Sequence, residues 1–202
     1  MAKQNHQAVR RVNVVIVLHG SEDPDYLSDV DYFARRVNVS YAFISHARPL
    51  LHEVHGDIYI PLFIGYGSDY DRAVSTTGYS SPPLLDWPRV REFLLGLGPG
   101  LYVFHGNDDP RFLKEVANLG LANIAYLMAK PRLEEVLGKG CPGRVIPVLF
   151  ANGAIYKGIL EVTETLCPNT YVEKPLFRLD SFINYFRSSL GWLINNTKHL
   201  RH

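Results

Sequence analysis

The chain has 202 residues, of which 47% are hydrophobic and 20% are charged, a composition typical of a globular protein of one or two domains. A net charge of +1 gives no bulk attraction to nucleic acid or to an anionic membrane, so we expect neither partner. No apolar run reaches the roughly 20 residues of a membrane span, and the polar start at 1–11 lacks the apolar core of a signal peptide, which favours the cytoplasm.

The first half of the chain alternates predicted strands and helices. Its strands are short apolar runs that suit a buried parallel sheet. Asp23 followed by Pro24 is a typical helix start, an acidic N-cap before a proline. The predicted elements are strands at 13–18, at 41–45 and at a third run ending at 61–63, with helices that begin at Pro24 and Pro49.

The segment 64–82 is predicted to be a long loop, and long loops in compact domains are usually functional or disordered. It combines aromatic side chains with carboxylates and one arginine, a set that suits a flat and partly apolar ligand. A mobile polar lid without chemistry is an equally good interpretation. The residues concerned are Tyr66, Tyr70, Tyr79, Asp69, Asp71 and Arg72.

The second half repeats the pattern of the first. A second His-Gly turn follows the apolar run at 101–104, and another Asp-Pro pair follows that turn. The order of matching residues is kept over the whole half-chain, which indicates an internal duplication. Matching pairs include His19 and His105, Gly20 and Gly106, Asp23 and Asp109, Pro24 and Pro110, Pro49 and Pro131, and Pro61 and Pro147.

Strands that alternate with helices predict an α/β fold in which helices cover both faces of a parallel sheet. We therefore expect two tandem three-layer α/β/α units, at 1–98 and 99–202, with a cleft between the two lobes. The glycine-rich stretch 96–100 is the predicted linker. Because one chain already holds two units, the pattern is consistent with a monomer.

Two cysteines, Cys141 and Cys167, lie far apart in the sequence and form no Cys-x-x-Cys motif. Two unpaired thiols are the preferred interpretation. A single disulfide is the alternative, as in proteins of hyperthermophiles.

His19 and His105 each follow a predicted strand, at the sheet edge where ligands of open α/β sheets bind. Neutral imidazole can hold a metal ion or accept a proton near neutral pH. The alternative is that each histidine only caps its turn by a hydrogen bond to the backbone. The glycine motifs do not complete a dinucleotide or phosphate-binding fingerprint, and there is no Gly-x-Ser-x-Gly elbow of a serine hydrolase.

Taken together, these motifs resemble those of the class II tetrapyrrole chelatases, and within them the sirohydrochlorin cobaltochelatases. The resemblance covers nearly the whole chain, because both halves carry the pattern. The segments that carry it are His19-Gly-Ser21, Phe43-Ile-Ser-His-Ala-Arg-Pro49, Pro61-Leu-Phe-Ile-Gly-Tyr-Gly-Ser-Asp69, Pro83-Leu84 and Pro175-Leu176.

The family's metal-site residues carry over only in part. Its first histidine matches His19, its glutamate falls on Ser45, and its second histidine falls on Asp69. The resemblance thus implies that His19 is metal ligand and base, with Asp69 as the second ligand. His46 is expected to point to the opposite face of an ideal strand.

In the second half the same motifs retain one histidine. His105 matches the family's first histidine and is a further candidate metal ligand, whereas Leu127 and Ile155 stand where the glutamate and the second histidine fall. We therefore expect the first half to hold the working site.

The activity that the resemblance implies is insertion of a divalent metal, cobalt, nickel or iron, into a sirohydrochlorin-type ring, with the metal as substrate and no organic cofactor. Tyr66 and Tyr70 would contact the ring, and Arg72 and Arg48 would bind its carboxylates. This favours an enzyme of the lyase class. The alternative is a non-catalytic relative that binds a tetrapyrrole or metal as a carrier or regulator, and a two-lobed binder of another small molecule is a third hypothesis.

Overall fold

The computed structural model describes residues 12–200, so the polar start at 1–11 and the last two residues lie outside the described part. The first half contains β1 (Val14–Leu18), α1 (Pro24–Val37), β2 (Ser40–Phe43), a 3₁₀ turn (Leu51–Glu53), β3 (Ile58–Pro61), α2 (Ser68–Thr77), β4 (Tyr79–Ser80), a second 3₁₀ turn (Leu84–Asp86) and α3 (Val90–Gly96). The second half contains β5 (Leu101–Phe104), α4 (Pro110–Asn118), β6 (Ile124–Tyr126), α5 (Leu133–Leu137), β7 (Arg144–Pro147), α6 (Ala154–Leu166), β8 (Tyr171–Val172), a third 3₁₀ turn (Leu176–Arg178), α7 (Asp180–Asn196) and β9 (Lys198–His199).

Each half is built on a parallel sheet with its first strand in the middle. The first sheet has the order β2-β1-β3, and the second has the order β6-β5-β7-β8. All neighbouring strands within these two sheets are parallel, whereas β4 and β9 form a separate antiparallel pair. The predicted α/β fold with parallel sheets is therefore confirmed. The halves share one order of elements, and their origin by duplication stays a prediction.

Side chains of β1 alternate between two apolar layers, which accounts for the buried character of the whole strand. Ile16 and Leu18 join the main core, while Val15 and Val17 join a small cluster on the other face of the sheet. In the second sheet, Leu101 and Val103 pack against α5 and α6 on the outer face. Helical elements thus cover both faces, as expected for three layers.

The two Asp-Pro pairs begin helices as predicted. The Asp23 carboxylate accepts a hydrogen bond from the Asp25 N–H at 3.0 Å, and the Asp109 carboxylate accepts one from the Arg111 N–H at 2.8 Å. Each bond satisfies an amide that lacks a partner in the first turn of a helix. Both helices consequently start directly after the turn that carries a candidate histidine.

One aromatic core joins the two halves. The Phe33 ring of α1 stacks on the Phe177 ring with 4.1 Å between ring centres, and Phe182 and Phe186 of α7 complete the cluster. All four side chains are fully buried. An ion pair between the buried Asp29 of α1 and the partly exposed Arg178 lies at the same junction. Packing of this kind fixes the first half against the second.

Three predictions about the chain path are wrong in detail. The segment 64–82 is not a long loop, because α2 and β4 occupy most of it. Only Tyr70 and Ala73 of α2 are buried, and the helix begins at Gly67 without a side-chain cap, so the sequence carries little helical signal. In the first half Pro49 is followed only by a 3₁₀ turn, not by a full helix, and the second strand ends at Phe43.

The preference for two unpaired thiols is also wrong. Cys141 and Cys167 form a disulfide, with 5.4 Å between their Cα atoms. Cys141 follows α5 and Cys167 directly follows α6, and these two helices pack against each other, which brings together cysteines 26 positions apart.

Among residues 12–200, no helix is long and apolar enough to cross a bilayer.

The aromatic junction predicts the effect of a core substitution. Phe33→Ala should lower the free energy of unfolding by about 3–5 kcal/mol, because it leaves a cavity between the halves that rigid neighbours cannot fill. Urea unfolding followed by circular dichroism measures this loss. Leu113→Ala on α4, where the side chain is 40% exposed, is the control and should change stability by about 0.5 kcal/mol or less. A loss in Phe33→Ala as small as that of the control would contradict the shared core.

Candidate functional site

A cleft of about 430 Å³ lies at the carboxyl ends of the central strands of both sheets. This volume is within the usual range for small-molecule sites, roughly 300–1,000 Å³. Four segments line the cleft, one after each of β1, β3, β5 and β7, at the sheet edge where ligands of open α/β folds bind. They are 18–21, 62–70, 104–107 and 148–155. Both halves therefore contribute to one site.

The turn after β1 aims His19 into this cleft. Gly20 has φ +101°, and a Cβ atom there would lie 1.9 Å from the carbonyl oxygen of Ser45. Only glycine fits this close approach in the left-handed region. The Ser45 N–H in turn donates to the His19 carbonyl at 3.1 Å. The backbone on both sides of His19 is thereby fixed, which restricts where its ring can lie.

Asp69 reaches the same place from the first turn of α2. The segment before it lies against the second half, where the Asn107 side-chain amide donates to the Tyr66 carbonyl at 3.0 Å. Gly67 allows this contact, because a Cβ atom at that position would lie 2.8 Å from the Asn107 amide nitrogen. The second half thus helps to position a carboxylate of the first.

His19 and Asp69 face each other without a hydrogen bond. The distance from His19 Nδ1 to Asp69 Oδ1 is 3.7 Å, and within the described residues this buried Nδ1 has no hydrogen-bond partner. A separation of 3.7 Å is long for a hydrogen bond. Two ligand atoms that each lie about 2.1 Å from one metal ion are roughly 3–4 Å apart, so the spacing suits a shared ion.

The electrostatic surroundings keep both candidate histidines neutral near pH 7. Burial lowers the pKa of His19, and the charge of Asp69 opposes this effect, while Arg72 and His46 lower the pKa further. Desolvation also lowers the pKa of His105, again opposed by the charge of Asp69. A neutral imidazole has a free lone pair for a metal ion or a proton. Asp69 acts electrostatically on the histidines of both halves.

The structure places His46 beside His19, contrary to the expectation from strand alternation. The ring centres of the two histidines lie 5.2 Å apart, with planes inclined by 43°. The alternation does not apply because β2 ends at Phe43 and His46 has a left-handed backbone, with φ 62°. The strand pattern therefore does not apply at this position, and the His46 ring lies beside His19 without contributing to the cleft lining.

Tyr66 and Tyr70 line the cleft, and their hydroxyl groups are already bound within the protein. Tyr66 donates to the carboxylate of Asp86 at 2.9 Å, and Tyr70 donates to the carbonyl of Ser81 at 2.9 Å. Their rings meet edge to face with centres 5.1 Å apart. They therefore offer the cleft aromatic surface held in a fixed orientation.

The two predicted arginines differ in position. Arg72 stands on α2 beside the cleft and binds Asp69 Oδ1 at 3.1 Å. Arg48 forms an ion pair with Glu53 and does not contribute to the cleft lining. The structure thus brings together His19, His105, Asp69, Tyr66 and Tyr70, with Arg72 at the edge, and leaves Arg48 outside.

Arg111 supports the site from outside the cleft lining, and the sequence did not reveal this role. Its guanidinium lies 4.9 Å from the centre of the Tyr66 ring and binds Asp71 of α2 at 2.7 Å and Asp109 at 2.7 Å. It therefore connects the helix that carries Asp69 to the start of α4 in the second half. In the sequence, Arg111 is marked only by its position two residues after the N-cap Asp109, and many helices that form no functional site have an arginine there.

Glu115 is a second residue that was missed. It is buried on α4, where one carboxylate oxygen accepts from the Tyr66 N–H at 3.3 Å and the other accepts no hydrogen bond from residues 12–200. Burial raises the pKa of Glu115 to about 8, and the negative charge of Asp86 adds to the rise. Glu115 is thus a protonated support beneath the Tyr66 segment at neutral pH.

Comparisons with known proteins agree with the fold. No family model and no curated protein matches the chain. A solved structure described as that of CbiX, the terminal enzyme for biosynthesis of siroheme in denitrifying bacteria, is similar, with a TM-score of 0.64 and 15% identity over 89% of this chain and 98% of that one. The chain has a CbiX-like fold. This confirms the fold that the motifs predicted, and the particular family stays a prediction.

The metal-binding prediction stays open. Among the residues that the structure describes, no three histidine, cysteine, aspartate or glutamate side chains are already gathered as a metal site. His19 and Asp69 are a pair of ligands, and His105 faces the cleft from the other half.

The electrostatic role of Asp69 can be tested by substitution. Asp69→Asn should lower the pKa of both His19 and His105, because it removes the negative charge that raises them. Titration of the histidine ring protons by NMR measures both values. Asp31→Asn on α1, whose carboxylate pairs with Arg35 outside the cleft, is the control and should leave both pKa values unchanged. An unchanged or raised pKa of His19 in Asp69→Asn would show that the two side chains do not face each other.

The raised pKa of Glu115 predicts that the free energy of unfolding depends on pH. The folded-state pKa of this carboxyl group is about 8, whereas its pKa in the unfolded chain is near 4.5. Its contribution to stability is therefore fully present when the pH is below 4.5, and it is lost as the pH rises through about 8. Glu115→Gln removes this loss. The stability of the variant relative to the unchanged protein should therefore increase from pH 5 to pH 9, as measured by urea unfolding. A difference that is the same at both pH values would refute the raised pKa.

Proposed function

We propose that this protein inserts a divalent metal ion into a tetrapyrrole ring of the sirohydrochlorin type. The observation that carries the proposal is the unpartnered and buried Nδ1 of His19, which faces the Asp69 carboxylate at 3.7 Å inside a cleft shared by both halves. The CbiX-like fold supports it, because the similar structure is that of a siroheme biosynthesis enzyme.

The reaction needs a metal holder and a base on one face of the ring. Two pyrrole N–H protons must leave as the metal enters, and the ion must be released from the protein at the same moment. Neutral His19 would bind the ion or accept a proton, and ionised Asp69 would share the ion and offset its charge. His105 stands in the same cleft and is available to accept the second proton.

Three side chains in or beside the cleft would contact the ring. Aromatic surface from Tyr66 and Tyr70 would contact the flat macrocycle. Arg72 would bind a ring carboxylate in exchange for its contact with Asp69, which frees that side chain for the metal. Arg48 lies outside the cleft and would reach only the edge of a bound ring.

The metal would be cobalt, nickel or iron, all divalent. Imidazole and carboxylate ligands accept each of these ions, and selectivity among them is set by geometry and availability. The ion is a substrate in this proposal, so the site must hold it briefly.

A non-catalytic carrier or regulator is the second candidate function. Ser45, Leu127 and Ile155 stand where chelatase motifs place a glutamate or a second histidine, and no three ligands are gathered among the described residues. Such a protein would bind the tetrapyrrole or the metal without turnover.

Metal insertion can be followed directly by visible absorbance with sirohydrochlorin and Co²⁺. The full chain should accelerate insertion over the protein-free background, and His19→Ala should reduce the rate by about 100-fold or more, because a base alone contributes roughly that factor. His199→Ala is a matched control, since this histidine packs on Tyr79 near the opposite end of α2, away from the cleft.

The outcomes separate the two candidates. A rate equal to the background in the unchanged protein contradicts catalysis. If the ring's absorbance band nevertheless shifts on titration with protein, the carrier function is favoured. A His19→Ala rate equal to that of the control would remove His19 from the mechanism.

A further inference from the structure

The segment after β2 places a second histidine, His46, beside His19. The Ser45 N–H donates to the His19 carbonyl at 3.1 Å, which holds this segment against the first His-Gly turn. His46 then has a left-handed backbone, with φ 62°, and its ring lies 5.2 Å from the His19 ring, centre to centre. Histidine is one of the residue types that adopt this conformation more often than most.

We propose that His46 is the second imidazole ligand of the metal substrate, alongside His19 and Asp69. This deepens the proposed function, on which it rests for the identity of the ion as a substrate. The chelatase motifs place no metal ligand at position 46. The family's second histidine falls on Asp69 in this chain, and His46 would supply an imidazole in its place.

The spacing of the two rings fits a shared ion. An imidazole nitrogen binds a tetrahedral metal ion at about 2.1 Å, and its ring centre lies roughly 1.1 Å farther away. Two imidazoles on one such ion therefore have ring centres roughly 5 Å apart. The observed separation is 5.2 Å. His19 Nδ1 and Asp69 Oδ1, at 3.7 Å, also have a spacing that one ion can bridge. Each of the two partners thus lies at a distance from His19 that one ion can bridge, and a shift of the exposed His46 ring would bring the three ligands together.

The exposure of the His46 side chain fits the release of a substrate ion. The residue is exposed, and within residues 12–200 its ring contacts His19 but has no hydrogen bond. No three ligands are gathered in advance, so His46 would close on the ion and open again. Two imidazoles and one carboxylate leave coordination positions open, as in other divalent metal sites of this composition. Pyrrole nitrogens of the tetrapyrrole can then enter the open coordination positions of the metal ion.

The second half shows no such arrangement. Met128 is the counterpart of His46 in the repeat, and its N–H donates to the His105 carbonyl at 2.8 Å, just as the segment of His46 is bound to His19. A thioether is a poor ligand for hard and borderline divalent ions. The second imidazole is therefore confined to the half that also holds Asp69.

Calorimetric titration of the full chain with CoCl₂ tests the assignment without any tetrapyrrole. His46→Ala should raise the Kd for Co²⁺ by at least about tenfold, because even residues that only orient a ligand contribute 10–100-fold. His19→Ala should show at least the same loss, and the control His199→Ala should retain the unchanged affinity. A second measurement needs no variant: in the unchanged protein, Zn²⁺ should shift the ring NMR signals of His19 and His46 at the same molar ratio.

Each outcome decides the assignment. His46→Ala with unchanged Co²⁺ affinity, or a Zn²⁺ titration in which only His19 shifts, overturns the role of His46 whether or not insertion occurs. Loss of Co²⁺ binding in His46→Ala supports it, even if the unchanged protein then fails to insert metal into sirohydrochlorin. That failure would contradict the proposed reaction alone.

Discussion

The packing of Phe33 on Phe177 is the contact on which the rest of the arrangement depends. It lies between α1 of the first half and the turn before α7 of the second, inside one continuous core. Each sheet alone would present a histidine at the end of its central strand, at an open edge. Because the aromatic junction and the ion pair of Asp29 with Arg178 fix the two sheets together, both edges open into the same cleft. The site is therefore a product of the interface between the halves.

The two sides of this cleft differ in chemistry although their backbones correspond. On the first side, His19 is accompanied by Asp69 and His46. On the second side, His105 has Ile155 at the cleft lining, where the first half has Asp69. Such asymmetry suits a reaction in which a metal approaches a flat ring from one face. The apolar side would support the ring, and the polar side would deliver the ion.

The sequence was sufficient where the signal is local. Asp23 before Pro24 marked a helix start, and buried apolar runs marked parallel strands, because both depend on neighbouring residues. The helix α2 was not predicted, because only Tyr70 and Ala73 form its buried face. The disulfide, the ion pairs of Arg111 and the burial of Glu115 depend on contacts between distant segments. No spacing in the sequence encodes those contacts.

In the proposed reaction, the protein has to bind the metal ion less tightly than the metallated ring does. A site with three rigid, preformed ligands would lower the free energy of the bound ion and thus raise the barrier to its transfer, since only interactions that favour the transition state accelerate a reaction. The arrangement around His19 avoids this, because Asp69 is partly engaged by Arg72 and the His46 side chain is exposed. If Arg72 moves to a carboxylate of an arriving ring, the Asp69 carboxylate loses its ion-pair partner and faces the metal ion alone only when the acceptor is present. Binding of the ring would then be coupled to the strength of the metal site through a single arginine.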